Sequence, residues 1–81
     1  MNIENLVKMA NDIGNFFNAE PDRSIAIHGI ADHIRKFWDP RMRKAIIAHH
    51  REGGIGLSEL PRAAVAELAD ETVSLKESGD G

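Results

Sequence analysis

The sequence predicts an all-α protein: a small bundle of three to four short helices with a disordered C-terminal tail. Apolar residues recur at three- and four-residue steps in four separate stretches, which is the spacing of one helix face. Proline or glycine lies between those stretches, and no alternating apolar and polar run is long enough for a strand. A chain of 81 residues makes one small domain, so we expect a helical domain over residues 1–75 and a tail over residues 76–81.

The first stretch predicts a helix whose apolar arc is unusually wide. Its main face is formed by Ile3, Leu6, Val7, Ala10, Gly14 and Phe17, and its flank by Met9, Ile13 and Phe16. A helix covered on one side only needs a narrower arc. The helix therefore either lies deep in its own domain or meets another chain with its flank, and the sequence leaves both open.

The second helix follows a turn at residues 18–22 and ends in an aromatic and basic segment. Its apolar stripe consists of Ile27, Ile30, Ala31, Ile34 and Trp38, with Phe37 at the edge. A residue before proline is disfavoured in the helical conformation, so Asp39-Pro40 ends this helix. The same two residues suit the N-cap and first position of a third helix.

The third and fourth helices are separated by a glycine-rich turn at residues 53–56. The third helix carries Met42, Ala45, Ile46 and His49 on one face. Ile47 lies on the other side between Arg43 and Arg51, where it is either an exposed residue or a partner contact. Ser58 is the predicted N-cap of the fourth helix, whose face is formed by Leu60, Ala64, Leu68, Thr72 and Leu75.

The residue types in this chain argue against a metal-binding, cofactor-binding or catalytic site. It has no cysteine, and its four histidines do not share a helix face, so we expect neither a metal site nor a bound cofactor. No serine or threonine is placed beside a base, and we expect no catalytic residue. No apolar run approaches the roughly 20 residues of a membrane helix, and no targeting segment is evident, so we expect a cytoplasmic protein.

Two kinds of partner remain. Residues 33–51 carry six positive side chains against one negative, which would suit a helix-turn-helix-like nucleic-acid-binding domain using residues 35–51. Against that alternative, the net charge is −3, and residues 41–52 contain neither asparagine nor glutamine to read bases. A protein-binding module agrees better with the interleaved Phe37 and Trp38, because tryptophan and arginine are enriched where protein surfaces anchor on one another.

Three segments of the chain resemble one known family. They are Met9-Ala10-Asn11-Asp12-Ile13-Gly14-Asn15-Phe16-Phe17, His33-Ile34-Arg35-Lys36-Phe37-Trp38-Asp39-Pro40-Arg41-Met42-Arg43 and Gly53-Gly54-Ile55-Gly56-Leu57-Ser58-Glu59-Leu60. Their order and spacing resemble the delta subunit of the molybdenum-containing, NAD-dependent formate dehydrogenases from about residue 5 to residue 70. The central segment is the specific one.

The resemblance implies a non-catalytic accessory subunit that binds an alpha subunit carrying a molybdenum bis-pterin cofactor and iron–sulfur clusters. Beta and gamma subunits of the same complex carry FMN and further clusters and pass electrons to NAD. The implied role of the delta subunit is assembly, stability or cofactor retention. We expect no nucleic acid and no membrane among its partners.

The same resemblance, together with the exposed position expected for Ile47, predicts a set of partner-binding residues. They are Arg35, Lys36, Phe37, Trp38, Asp39, Pro40, Arg41, Arg43 and Ile47. Phe37 or Trp38 would be the buried anchor, and the arginines would pair with acceptors on the alpha subunit. The sequence leaves open whether Trp38 faces the partner or its own core.

Overall fold

The computed structural model describes residues 2–80, and for residues 72–80 it describes the backbone only. This part of the chain contains four helices and no strand, which confirms the predicted all-α bundle. The helices are α1 (Ile3–Phe17), α2 (Arg23–Phe37), α3 (Pro40–Arg51) and α4 (Glu59–Asp80).

Short polar side chains begin the first three helices. Asn2, Asp22 and Asp39 each have extended backbone and accept hydrogen bonds from the free N–H groups of the first turn. Asp39 accepts from the Met42 N–H at 3.0 Å, and Pro40 occupies the first turn, where its missing N–H costs nothing. The predicted boundary between the second and third helices is confirmed.

One core joins all four helices, and α2 and α4 share the largest interface. Its buried members are Leu6, Ala10, Ile30, Ala31, Ile34, Trp38, Ile46, Ile47, Leu57, Ala64, Val65, Leu68 and Ala69. Within α1 the flank residues Met9 and Ile13 are partly buried, whereas Phe16 is 79% exposed. The wide apolar arc of α1 is therefore divided between the core and the surface.

Ile47 differs from its expected position on the surface. It is 8% exposed and belongs to the core. The reason is that α3 packs against α1 and against α4, so two sides of this helix are covered rather than one.

The backbone of the last helix runs from Glu59 to Asp80, and no proline or glycine interrupts residues 62–78. The side chains of Thr72 and Leu75 lie outside the described residues. The division into a domain over residues 1–75 and a tail over residues 76–81 stays a prediction.

The glycine turn between α3 and α4 is closed by side chains from three helices. Gly53, Gly54 and Gly56 have positive φ angles, which glycine adopts without steric cost. The Arg62 guanidinium of α4 donates to the Gly53 and Gly54 carbonyls at 2.8 and 2.9 Å. His49 of α3 hydrogen-bonds the Ile55 carbonyl through Nε2 at 2.8 Å.

Asn11 of α1 joins this turn to the opposite side of the bundle. Its Nδ2 donates to the Gly56 carbonyl at 2.9 Å, and its Oδ1 accepts from the Ser58 N–H and hydroxyl at 2.9 and 2.8 Å. Ser58 lies immediately before α4, at the position of the predicted N-cap, and its hydroxyl donates a hydrogen bond to the Asn11 side chain. The side chain of Asn11 thus holds the start of α4 against α1.

We expect Asn11→Ala to lower the free energy of unfolding by about 1–3 kcal/mol, because three hydrogen bonds across the bundle are lost together. Asn15→Ala is the matched control, since Asn15 is exposed on the same helix and bonds only the nearby Asn18 side chain. Urea unfolding followed by circular dichroism measures both variants. Equal stabilities for the two would contradict this role for Asn11.

Candidate partner-binding site

The sequence-predicted site forms the corner between α2 and α3, which we call the α2–α3 corner (residues 35–43). Trp38 has extended backbone there, and its N–H still closes the last turn of α2 on the Ile34 carbonyl at 3.0 Å. This change of direction separates the two aromatic side chains. Trp38 is 5% exposed and lies in the chain's own core, whereas Phe37 is 73% exposed.

Phe37 is held in its exposed position by a neighbour on α2. The His33 and Phe37 rings have centroids 4.8 Å apart and are tilted by 43°. The two residues are one helical turn apart, so they lie on the same side of α2. The corner therefore exposes the Phe37 ring to solvent, and the His33 ring supports it from one side.

Arg43 reaches back from α3 to the end of α2. Its Nη1 donates to the Arg35 carbonyl at 2.7 Å and to the Trp38 carbonyl at 3.3 Å. Carbonyls at a helix end lack partners within the helix, and a cation there is favoured by the helix dipole. Arg43 is thus a structural tie within the chain.

Arg35 and Lys36 are paired with acidic side chains of this chain. Arg35 donates to Glu71 of α4 at 2.6 Å and to Asp32 at 3.2 Å, and Lys36 lies 2.9 Å from Asp32. The hydrogen bond from Lys36, assisted by Arg35, lowers the pKa of Asp32, and the hydrogen bond to Glu71 raises the pKa of Arg35.

Arg41 differs from the other predicted arginines. It is exposed in the first turn of α3 and makes no hydrogen bond or ion pair with the side chains that the structure describes. Side chains two positions apart point to nearly opposite sides of a helix, so Arg41 and Arg43 do not lie on the same side of α3. Arg41 and Phe37 are thus exposed members of the predicted set whose side chains form no hydrogen bond or ion pair within the part of the chain that the structure describes.

Aromatic residues of α1 extend this surface along α2. Phe16 and Phe17 meet edge to face with centroids 5.2 Å apart, and the Phe17 ring occupies the space over Gly29 of α2. Gly29 lies on the same side of α2 as His33 and Phe37, at four-residue spacing. The predicted site did not include these α1 residues, although the wide apolar arc of the first helix is the signal that could have found them.

Among the residues 2–71, whose side chains are described, no group of three His, Cys, Asp or Glu side chains could hold a metal ion. Three of the four histidines there are engaged separately: His28 lies 2.8 Å from Glu67, His33 contacts Phe37, and His49 bonds the glycine turn. The buried Nδ1 of the fourth, His50, has no hydrogen-bond partner among the described residues. No described helix is long and apolar enough to cross a membrane.

Comparison with known proteins gives a family match over most of the chain. The family model of the NADH-dependent formate dehydrogenase delta subunit FdsD matches residues 5–65. This range contains the whole α2–α3 corner and confirms the resemblance of the three sequence segments. No curated protein and no solved structure matches the chain.

We expect Arg43→Met to lower the free energy of unfolding by about 1–2 kcal/mol, because the two carbonyls at the end of α2 lose their charged donor. Arg41→Met should change it by less than about 0.5 kcal/mol, since an exposed side chain without such a bond contributes little. Trp38 fluorescence during urea unfolding reports both. A stability loss in Arg41→Met as large as that in Arg43→Met would refute the division of roles.

Proposed function

Because the chain belongs to the family of the NADH-dependent formate dehydrogenase delta subunit, an accessory subunit of that enzyme, we propose that it binds the molybdenum-cofactor-carrying alpha subunit of a cytoplasmic complex. Its proposed role there is non-catalytic: it supports assembly, stability or cofactor retention. The beta and gamma subunits belong to the same complex. The molybdenum bis-pterin cofactor, iron–sulfur clusters, FMN and the NAD site are assigned to the other subunits.

The observation that carries this proposal is the exposure of Phe37 at the α2–α3 corner. A phenylalanine that is 73% exposed leaves much apolar surface in water, and its burial by a partner contributes about 1.5–3 kcal/mol. Aromatic residues and arginine are enriched at protein interfaces relative to the rest of the surface. Phe37 with Arg41 has this composition.

The three family-like segments differ in what their residues do within the chain, and this difference also supports the proposal. Asn11 and Gly14 of the first segment contact α4 and the residues before it, and the glycines of the third segment form the turn closed by Arg62. These residues have internal roles. In the central segment Phe37 is 73% exposed and contacts the His33 ring of its own helix, and Arg41 forms no hydrogen bond or ion pair with the described side chains. A contact with another subunit would account for both.

The other residues of the predicted set support the contact in different ways. Trp38, Asp39, Pro40 and Arg43 build the corner that holds Phe37 outward. Lys36 is exposed beside Phe37 and belongs to the rim of the proposed surface. Arg35 and Ile47 line a groove next to the corner.

The charge pattern disfavours nucleic acid as the partner. Arg35 and Lys36 are already paired with Asp32 and Glu71, so two of the cations that suggested a basic reading surface are compensated within the chain. Phosphate contacts depend on uncompensated cations. We therefore propose a protein as the partner, and duplex DNA serves as a control ligand in binding experiments.

We expect Phe37→Ala to weaken association with the alpha subunit about ten- to hundred-fold, which corresponds to the 1.5–3 kcal/mol of lost burial. Ile55→Ala is the matched control, because Ile55 is 79% exposed in the glycine turn, away from the corner. Co-purification of a tagged chain from its native host measures both variants. Full association of Phe37→Ala, with helicity unchanged, would rule out the corner as the contact.

A further inference from the structure

A groove lies beside the α2–α3 corner, between α3, the end of α2 and α4. Its volume is about 420 Å³, within the range that holds a few side chains of a ligand. The lining residues are Arg35, Pro40, Arg43, Lys44, Ile47, Arg51, Leu68 and Glu71. Ile47 and Leu68 are nearly buried, so they form an apolar floor under a charged rim.

The charges of this rim are unevenly compensated. Arg35 and Glu71 pair with each other at 2.6 Å. Arg43 donates its hydrogen bonds to backbone carbonyls. These acceptors carry no net charge, so they do not neutralise the guanidinium. Lys44 and Arg51 are exposed and form no ion pair with the side chains of residues 2–71. The groove therefore has an excess of positive charge above an apolar floor.

The spacing of these cations is defined by α3. Lys44 and Arg51 are seven residues apart, which is two helical turns or about 10 Å along the axis. Ile47 lies between them on the same side of the helix. A complementary ligand has one apolar group in the middle and a negative charge toward each end.

We propose that this groove receives an acidic segment of a partner subunit, with two carboxylates about 10 Å apart on either side of an apolar side chain. The inference rests on the proposed function, because it assigns the segment to a subunit of the same complex. Charge complementarity identifies the occupant: carboxylates pair with Lys44 and Arg51, and the apolar side chain covers Ile47. The groove extends the contact of Phe37 around the end of α2.

The surroundings of the groove favour a peptide over a nucleic acid. Asp32, Glu67 and Glu71 border Arg35 on the α2–α4 side, where they would repel a continuous phosphate backbone. An apolar floor also contributes nothing to phosphate binding, whereas it suits an aliphatic or aromatic side chain. A short acidic segment with an apolar residue satisfies both features.

Carbodiimide cross-linking of the purified complex tests the proposal, because this reagent joins a lysine amine to a carboxylate that is in contact with it. We expect Lys44 to be joined to an aspartate or glutamate of a partner subunit, with an apolar residue within four positions of that carboxylate. Lys44→Arg keeps the charge and removes the amine, so this cross-link should disappear while the complex stays intact. The Lys36–Asp32 pair, 2.9 Å apart, provides an internal positive control.

A charge reversal measures the contribution to binding. Lys44→Glu with Arg51→Glu should weaken association at least tenfold and reduce its salt dependence. Lys8→Glu with Arg23→Glu makes the same change in net charge away from the groove and should have little effect. A wild-type complex in which Lys44 joins no partner carboxylate, or in which the reversal leaves association unchanged, overturns the groove assignment alone.

Two other outcomes also count against the inference. Recovery of the wild-type chain without any formate dehydrogenase subunit contradicts both the groove and the proposed function. Retention of duplex DNA that is lost in the Lys44→Glu, Arg51→Glu variant assigns the groove to nucleic acid and overturns the acidic segment.

Discussion

The hydrogen bonds from Arg43 to the carbonyls of Arg35 and Trp38 are the interaction on which the proposed binding surface depends. They cross the Asp39-Pro40 break and hold the start of α3 against the end of α2. With this angle in place, Trp38 enters the core and Phe37 points outward. The two neighbouring aromatic residues thus have different surroundings: Trp38 packs in the core, and Phe37 is exposed to solvent.

A second set of polar contacts compensates for the small size of the domain. A short chain buries a modest fraction of its surface, and this one has no disulfide to assist it. Asn11 and Arg62 instead fasten the glycine turn to α1 and α4. Binding to a larger subunit would add further stability by mass action, which agrees with an accessory role.

Local rules predicted the helices and the Asp39 cap because these depend on neighbouring residues. Periodicity could not decide the side on which Trp38 lies, since Trp38 follows the last residue of α2 and its backbone is already extended. Nor could it separate Arg43 from Arg41, because the Arg43 bonds depend on the angle between two helices. The same limit applies to Ile47, which is covered only because α3 contacts both α1 and α4.

Hydroxyl-radical footprinting of the free chain and of the purified complex tests whether Phe37 is the contact residue, since it measures the solvent access of individual side chains. We predict that Phe37 is oxidised in the free chain and protected in the complex, while Trp38 is protected in both and Ile55 is oxidised in both. Equal oxidation of Phe37 in the free and bound chain, or strong oxidation of Trp38 in the free chain, would contradict the account of the α2–α3 corner.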